Sequence, residues 1–209
     1  MAGDWSSDVC SSDLKNMSNN IEIEAKVLLS HREYLKVVES LGFKPEDQFT
    51  QTNHYIDSKE RDLKANGIAL RIREKSDEIV LTLKTPLAEG LLEKNQTLTK
   101  EESDKMINEN VFPKGPIADF LEILDVNVDS LQVLATLVTN RYEKPFKTGK
   151  VALDENLYSD MVDYELEMEE SAIMNARALI KEILDPLNIH HDYNTLSKQA
   201  RAINAIRGR

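Results

Sequence analysis

Acidic and basic side chains alternate with apolar ones near the start of the chain, in the segment 21–28. Successive side chains of a strand point to opposite sides, so Glu22, Glu24 and Lys26 share one face and apolar residues share the other. Two carboxylates beside an ammonium suit a divalent cation next to an anion, because hard cations such as Mg²⁺ take carboxylate and phosphate oxygens. A solvated face with a weak Glu–Lys pair is the alternative that this segment alone leaves open.

The same alternation returns in later segments that read as strands, at 49–57, 68–74, 79–85, 91–98, 134–146, 151–157 and 162–169. Each of these strands taken singly fits a solvated face. Their repetition favours a shared site instead. The charged residues that alternate with apolar ones in the predicted strands are Glu22, Glu24, Lys26, Arg71, Arg73, Lys84, Glu93, Arg141, Asp154, Glu165, Glu167 and Glu169.

Helices are predicted between and after these strands. Ser30-x-x-Glu33 and Thr99-x-x-Glu102 are capping boxes, and further helices are expected at 116–124, 171–184 and 195–206. Their apolar faces must bury against the sheet, which then carries its charges on the inner face of a closed barrel. The residues that decide this are Leu35, Val38, Leu41, Leu121, Leu124, Ile180 and Leu184.

A barrel interior lined with charges is costly unless those charges are paired or bound to ligands. Carboxylates that hold a divalent metal, with Arg and Lys side chains that hold a chain of phosphates, would balance it. This set of groups matches phosphoryl transfer, in which metal and cations stabilise charge on the phosphate oxygens and water can be the nucleophile.

Bulk composition narrows the possible functions. The 209 residues, 41% of them hydrophobic, suit one domain, and the net charge of −11 argues against a partner that is a nucleic acid polymer. No apolar run is long enough to span a membrane, and the single Cys10 fits the cytoplasm. Residues 1–19 are rich in Ser and Asp, lack the pattern of a signal peptide and are expected to be a disordered or artificial tail before a single domain at 20–209.

The ordered motifs resemble those of the CYTH superfamily of triphosphate tunnel metalloenzymes, and most of all its stand-alone bacterial members, which are often labelled adenylate cyclases. The resemblance runs from about residue 20 to the C-terminus. The motifs that carry it are Glu22-x-Glu24-x-Lys26, Leu70-Arg71-Ile72-Arg73, Leu81-Thr82-Leu83-Lys84, Asn140-Arg141, Ala152-Leu153-Asp154, Glu165-x-Glu167 and Ser197-Lys198.

The resemblance implies an α+β fold, with a closed eight-stranded antiparallel β-tunnel, helices packed on its outside and one C-terminal helix at a tunnel mouth. It implies Mg²⁺ or Mn²⁺ as cofactor, with Lys84 and Lys198 near the terminal phosphate and the attacking water. The implied metal-facing carboxylates are Glu22, Glu24, Glu165 and Glu167, with Asp154 on the same wall. The implied phosphate-binding residues are Lys26, Arg71, Arg73, Lys84, Arg141 and Lys198.

One strand departs from the family pattern, because only Glu93 matches an expected Arg-x-Glu-x-Glu and Asn95 replaces a carboxylate. Residues for which a structural role is an equal alternative are Glu93, Glu169, Arg201, Tyr55 and Gln51.

The predicted activity is metal-dependent hydrolysis of inorganic triphosphate or of a nucleoside or organic triphosphate, a small-molecule substrate. The alternatives are an adenylyl cyclase that forms cyclic AMP and pyrophosphate from ATP, and a non-catalytic sensor of triphosphate or nucleotide. A homodimer is a possible assembly.

Overall fold

The computed structural model describes residues 23–86 and 91–207. The predicted tail at 1–19 and Glu22 lie outside the described residues. The strands are β1 (Ile23–Leu29), β2 (Phe49–Ser58), β3 (Ala69–Lys75), β4 (Glu78–Pro86), β5 (Leu91–Thr97), β6 (Leu131–Phe146), β7 (Gly149–Tyr158) and β8 (Met161–Glu170). The helices are α1 (His31–Leu41), α2 (Asp62–Ala65), α3 (Lys100–Glu109), α4 (Pro116–Ile123), α5 (Ile173–Leu184) and α6 (Lys198–Arg207).

All eight strands form one antiparallel sheet in the order β1-β8-β7-β6-β2-β3-β4-β5. The predicted α+β class and the eight antiparallel strands are therefore confirmed. Strands β1 and β5 stand at the two ends of this order. Closure of the sheet into a tunnel stays a prediction, because the ladders between described residues do not join these two strands.

The free edge of β1 is met by the segment that precedes α6. Val27 forms an isolated antiparallel bridge with Tyr193, and the Asn194 amide donates to the Lys26 carbonyl at 2.8 Å. The segment then turns into α6, where the Ser197 hydroxyl accepts from the Ala200 amide at 3.1 Å. The helix consequently begins at Lys198 and not at residue 195 as predicted.

The register of the sheet sets charged side chains beside one another. Arg141 on β6 faces Asp154 on β7, which faces Glu165 on β8. Lys26 on β1 faces Glu167 on β8. Inward-pointing residues of neighbouring strands thus form rows across the sheet, since facing pairs share one side of it.

Two apolar clusters cover the outer face of the sheet. On one side α1 and α5 pack on β1, β7 and β8, where Val27, Leu166 and Ile180 are fully buried. On the other side α3 and α4 pack on β3 and β4, where Leu83 and Met106 are fully buried. Each such side chain stabilises the fold by roughly 1.5–3 kcal/mol relative to an exposed one. The prediction that helices cover the apolar face, leaving the charges on the inner face, is confirmed.

Two of the helix residues that were expected to bury do not. Leu35 is 52% exposed and Leu124 is 42% exposed. Leu35 lies about 100° around α1 from the buried Tyr34, off the stripe that faces the sheet. Leu124 is the residue that caps α4, where the chain turns away from the core.

Local signals set the helix starts as predicted. Both capping boxes are formed, at Ser30 with Glu33 and at Thr99 with Glu102. Gly42 ends α1 with φ of 65°, a conformation that glycine adopts without steric cost. The short helix α2 was not among the predicted helices. None of the described helices is long and apolar enough to span a membrane.

Candidate active site

The inner face of the sheet surrounds a cavity of about 490 Å³. Side chains from seven of the eight strands and from the first turn of α6 line it, so the sheet curls around this space. Eight cationic and four anionic side chains are among the lining residues, although the whole chain carries a net charge of −11. The cavity is therefore a local concentration of positive charge in an acidic protein, which favours an anionic ligand.

One wall, formed by β2, β3 and β4, carries cations that few acidic groups face. The Arg73 Nε donates to Asn53 Oδ1 at 2.9 Å, and the buried Arg71 Nε has no hydrogen-bond partner among the described residues. Burial, together with the positive charges of Arg71 and Arg141, lowers the pKa of Arg73 to about 10. An anion bound here would relieve both the repulsion and the unmet donor.

Lys84 lies on the same wall and is held by Glu93. Its Nζ is 2.8 Å from Glu93 Oε2. Asn95, which stands where the family pattern has a carboxylate, donates to Glu93 at 3.1 Å and accepts from the Thr82 hydroxyl at 2.7 Å. The Asn95 side chain therefore braces Glu93, and within the described part of the chain it does not line the cavity.

The opposite wall, on β7 and β8, carries three carboxylates that we call the tricarboxylate cluster: Asp154, Glu165 and Glu167. One oxygen from each lies within 4.8 Å of the others, and Asp154 and Glu165 are fully buried. Converging carboxylate oxygens are the donors that Mg²⁺ and Mn²⁺ take, so this set fits the divalent metal that the family implies.

Arg141 and Lys198 neutralise the tricarboxylate cluster in this structure. Arg141 donates to both Asp154 oxygens, at 2.7 Å each, and to Glu167 at 2.6 Å. Lys198 Nζ lies 2.9 Å from Asp154, 2.7 Å from Glu165 and 2.6 Å from Glu167. Buried charges of this kind are tolerated because every one of them has partners of opposite sign.

These pairings fix the protonation states. Burial raises the pKa of Glu167, but the charges of Lys198, Arg141 and Lys26 outweigh it and hold the pKa well below its usual range. Burial lowers the pKa of Lys198, but Glu167, Asp154 and Glu165 outweigh it and hold the pKa well above its usual range. Glu167 is thus a carboxylate and Lys198 an ammonium near neutral pH.

Glu24 and Lys26 also line the cavity and form an ion pair with each other. Lys26 Nζ is 2.6 Å from Glu24 and 3.6 Å from Glu167. Burial lowers the pKa of Lys26, but Glu167 and Glu24 more than offset this and raise it. Glu169, farther along β8, pairs with Lys150 at 2.9 Å and is partly exposed.

Arg201, for which the sequence left a structural role as an equal alternative, binds two carboxylates of β8. It makes two hydrogen bonds to Glu165, both at 2.9 Å, and two to Asp163, at 2.9 and 3.3 Å. Burial lowers the pKa of Arg201, but these two carboxylates more than offset it and raise it well above its usual range. Tyr55 lines the cavity and also packs with Ala202 at the α6 end.

The structure brings together nearly all of the residues predicted for the site. Of these, the cavity is lined by Glu24, Lys26, Tyr55, Arg71, Arg73, Lys84, Arg141, Glu167, Glu169 and Lys198, together with Gln51. Asp154 and Glu165 lie behind Lys198, Glu93 lies beside Lys84, and Arg201 lies behind Glu165. Glu22 lies outside the described residues.

Four charged residues of the site were missed from the sequence. One is Lys150, which lines the cavity and pairs with Glu169, and the other three lie close along a strand to predicted site residues. Asp163 binds Arg201, Glu143 lies 3.5 Å from Arg141, and Lys75 lines the cavity with its Nζ 4.0 Å from the Phe49 ring centre. Asp163, Glu143 and Lys75 each lie two residues from a predicted site residue on the same strand. The alternation of side chains along a strand could therefore have identified them.

Comparisons with known proteins agree with this geometry. A family model described as the CYTH domain matches residues 20–201. The chain is 38% identical over 173 residues to "Putative triphosphatase YjbK" of Bacillus subtilis (strain 168). The aligned region covers 83% of this chain and 90% of that protein.

Solved structures share the fold. The crystal structure of a "putative adenylate cyclase" from Bacillus halodurans is 36% identical, covers 87% of this chain and 97% of that chain, and gives a TM-score of 0.77. HpAC1 of Hippeastrum is 23% identical, covers 88% and 95% of the two chains, and gives a TM-score of 0.69, which shows the fold alone. Because the family model matches residues 20–201, which is most of this chain, the chain belongs to the CYTH domain family.

Proposed function

We propose that the chain is a metal-dependent triphosphatase whose single domain, 20–209, closes into a tunnel around a small-molecule triphosphate. The observation that carries the proposal is the divided cavity. Cations with few acidic partners line one wall, and converging carboxylates lie on the other. A polyanion and a divalent metal together are the ligands that such a pair of walls would bind.

Arg71 and Arg73 are the proposed grip on the phosphate chain. Guanidinium groups bind phosphate oxygens through parallel donors, and the unmet Arg71 Nε provides one. Lys84 and Arg141 extend this set along the cavity wall, and Lys26 and Lys198 complete it on the side of the carboxylates.

The proposed metal ligands are Glu24, Asp154, Glu165 and Glu167, and Glu22 joins them by its place in the first strand. When bound, Mg²⁺ or Mn²⁺ would offset the charge of the phosphates and polarise the bond to be broken. The side chains of this chain orient the substrate and hold water away from the buried carboxylates.

Lys84 and Lys198 are the proposed catalytic residues, because both line the cavity where a terminal phosphate would lie. The raised pKa of Lys198 keeps its side chain protonated near neutral pH, so Lys198 cannot accept a proton there. Its role is therefore to stabilise negative charge on the departing phosphate oxygens, not to act as a base. Water attacks the terminal phosphorus as the bridging P–O bond breaks, which yields orthophosphate and the shortened phosphate chain, and the proton of the water passes to a phosphate oxygen or to solvent.

Release of orthophosphate tests this proposal. Purified protein with tripolyphosphate, and separately with ATP, is incubated with Mg²⁺, Mn²⁺ or EDTA, and both orthophosphate and pyrophosphate are measured. Orthophosphate release that requires metal supports the hydrolase, in line with the name of the B. subtilis relative.

Cyclic AMP and pyrophosphate from ATP would instead establish the cyclase that the description of the B. halodurans structure suggests. A rise in melting temperature with tripolyphosphate, without turnover under any metal, would establish a sensor.

A further inference from the structure

The Lys198 ammonium occupies the point on which the tricarboxylate cluster converges. It lies 2.6–2.9 Å from one oxygen of each of the three carboxylates. The three acids can each bring one oxygen within 4.8 Å of the others. A single cation that contacts all three acids has the position that a bridging metal ion would take.

The remaining carboxylate oxygens also have donors. Arg141 donates to Asp154 Oδ1 and to Glu167 Oε2, and Arg201 Nη1 donates to Glu165 Oε1. Every oxygen of the three acids therefore accepts from at least one cationic group. A divalent ion at the point where these acids converge would have to displace the Lys198 ammonium that already lies there.

Access from the cavity leads to the same conclusion. Asp154 and Glu165 are fully buried, and among the described residues they are not part of the cavity lining, whereas Lys198 is. The Lys198 side chain thus lies between these two carboxylates and the space where a substrate would bind. Glu24 and Glu167, in contrast, do line the cavity.

We propose that Lys198 and a divalent cation compete for the tricarboxylate cluster, so that metal entry moves the Lys198 ammonium off the carboxylates and into the cavity. This inference rests on the proposed metal-dependent function. Two cations at one point repel each other strongly at the effective permittivity of a protein interior. The ammonium that leaves the carboxylates is then available to phosphate oxygens in the cavity, which links metal binding to the grip on the substrate.

Mn²⁺ binding without substrate tests the competition. The protein is stripped with EDTA, dialysed and titrated with Mn²⁺, and free Mn²⁺ is followed by electron paramagnetic resonance. We expect Lys198→Met to bind Mn²⁺ about tenfold or more tightly than the wild type, because it removes the competing charge. Lys198→Arg keeps the charge and should restore wild-type affinity.

Lys75→Met is the matched control for net charge, because Lys75 lines the same cavity with its ammonium over Phe49, whereas the neighbours of Lys198 are the three acids. It should bind Mn²⁺ within about twofold of the wild type, since charges farther apart are screened. Equal or weaker Mn²⁺ binding by Lys198→Met would overturn the proposal.

A second measurement uses the wild type alone and does not depend on the folding of a variant. Lysine acetylation by an activated ester is quantified by mass spectrometry with and without Mn²⁺. The Lys198 side chain is 12% exposed, so its reactivity should rise severalfold when Mn²⁺ displaces it, while Lys75 stays constant. Unchanged or reduced labelling of Lys198 would contradict displacement.

The phosphate-release assay separates this inference from the function on which it rests. Metal-dependent release of orthophosphate with no effect at Lys198 refutes the competition and leaves the triphosphatase standing. If the protein neither binds Mn²⁺ nor releases phosphate, both the competition and the triphosphatase function are overturned.

Discussion

Replacing Arg141 with methionine removes the guanidinium that joins Asp154, behind the cavity, to Glu167, which lines it. Its Nε and Nη2 donate to both oxygens of Asp154, and Nη2 also donates to Glu167. Asp154 has no exposed surface, so water cannot take the place of the lost donors without a rearrangement of the fold. Methionine keeps an unbranched side chain that fills part of the space left by arginine, so the empty space is smaller than alanine would leave.

The expected loss follows from these contacts. Removing one member of a buried ion pair costs about 3–5 kcal/mol, because it leaves an uncompensated charge. Lys198 still contacts Asp154 and Glu167, so we expect the lower end, about 3 kcal/mol. For a chain of this size that corresponds to a fall in melting temperature of about 6–12 °C.

Urea unfolding followed by circular dichroism near neutral pH, with EDTA present, measures this loss. The control is Lys147→Met, which removes an ion pair with Glu182 in which both side chains are about half exposed. It should cost less than about 1 kcal/mol. A loss for Arg141→Met no larger than that of the control would refute the view that Arg141 neutralises a buried carboxylate cluster.

Four further outcomes are expected. The lowered folded-state pKa of Glu167 means that its ionised form contributes stability above the unfolded value of about 4.3, and that this contribution is lost as the pH falls further. The stability difference between the wild type and Glu167→Gln, measured by urea unfolding, should therefore shrink steadily below about pH 4.3, and a constant difference would contradict this. Lys84→Ala should lower kcat for phosphate release about 100-fold or more with an unchanged melting temperature, because Lys84 lies on the cavity wall and is partly exposed. Glu24→Ala should likewise lose turnover and stay folded, since its side chain is 41% exposed, and full activity in both variants would contradict the assignment of the cavity. Tripolyphosphate without metal should raise the melting temperature of the wild type more than that of Arg73→Met. The reason is that the anion relieves the repulsion which, together with burial, lowers the pKa of Arg73. Equal shifts in the two proteins would rule out Arg73 as a phosphate ligand.

Strand alternation predicted which side chains share the inner face, because a period of two depends only on local backbone geometry. It placed Glu24, Lys26, Arg71 and Arg73 in one cavity from the sequence alone. Helix starts at the two capping boxes were equally local and therefore predictable.

Pairings between distant segments were not predictable in this way. Lys198 meets Glu165 only because α6 packs at the end of the sheet, and Arg141 faces Asp154 only because of the register set by the turn between β6 and β7. The start of α6 was placed too early because residues before it run along the edge of β1, as the Tyr193 bridge shows. Such contacts depend on tertiary packing, which no local pattern encodes.

The central claim is that the divided cavity binds a triphosphate with a divalent metal and hydrolyses it. The most direct test is release of orthophosphate from tripolyphosphate by the purified wild-type protein, with Mg²⁺ or Mn²⁺ and with EDTA. We expect sustained release of orthophosphate with metal and none with EDTA. No release under any metal, or the same release in the presence of EDTA, would contradict it.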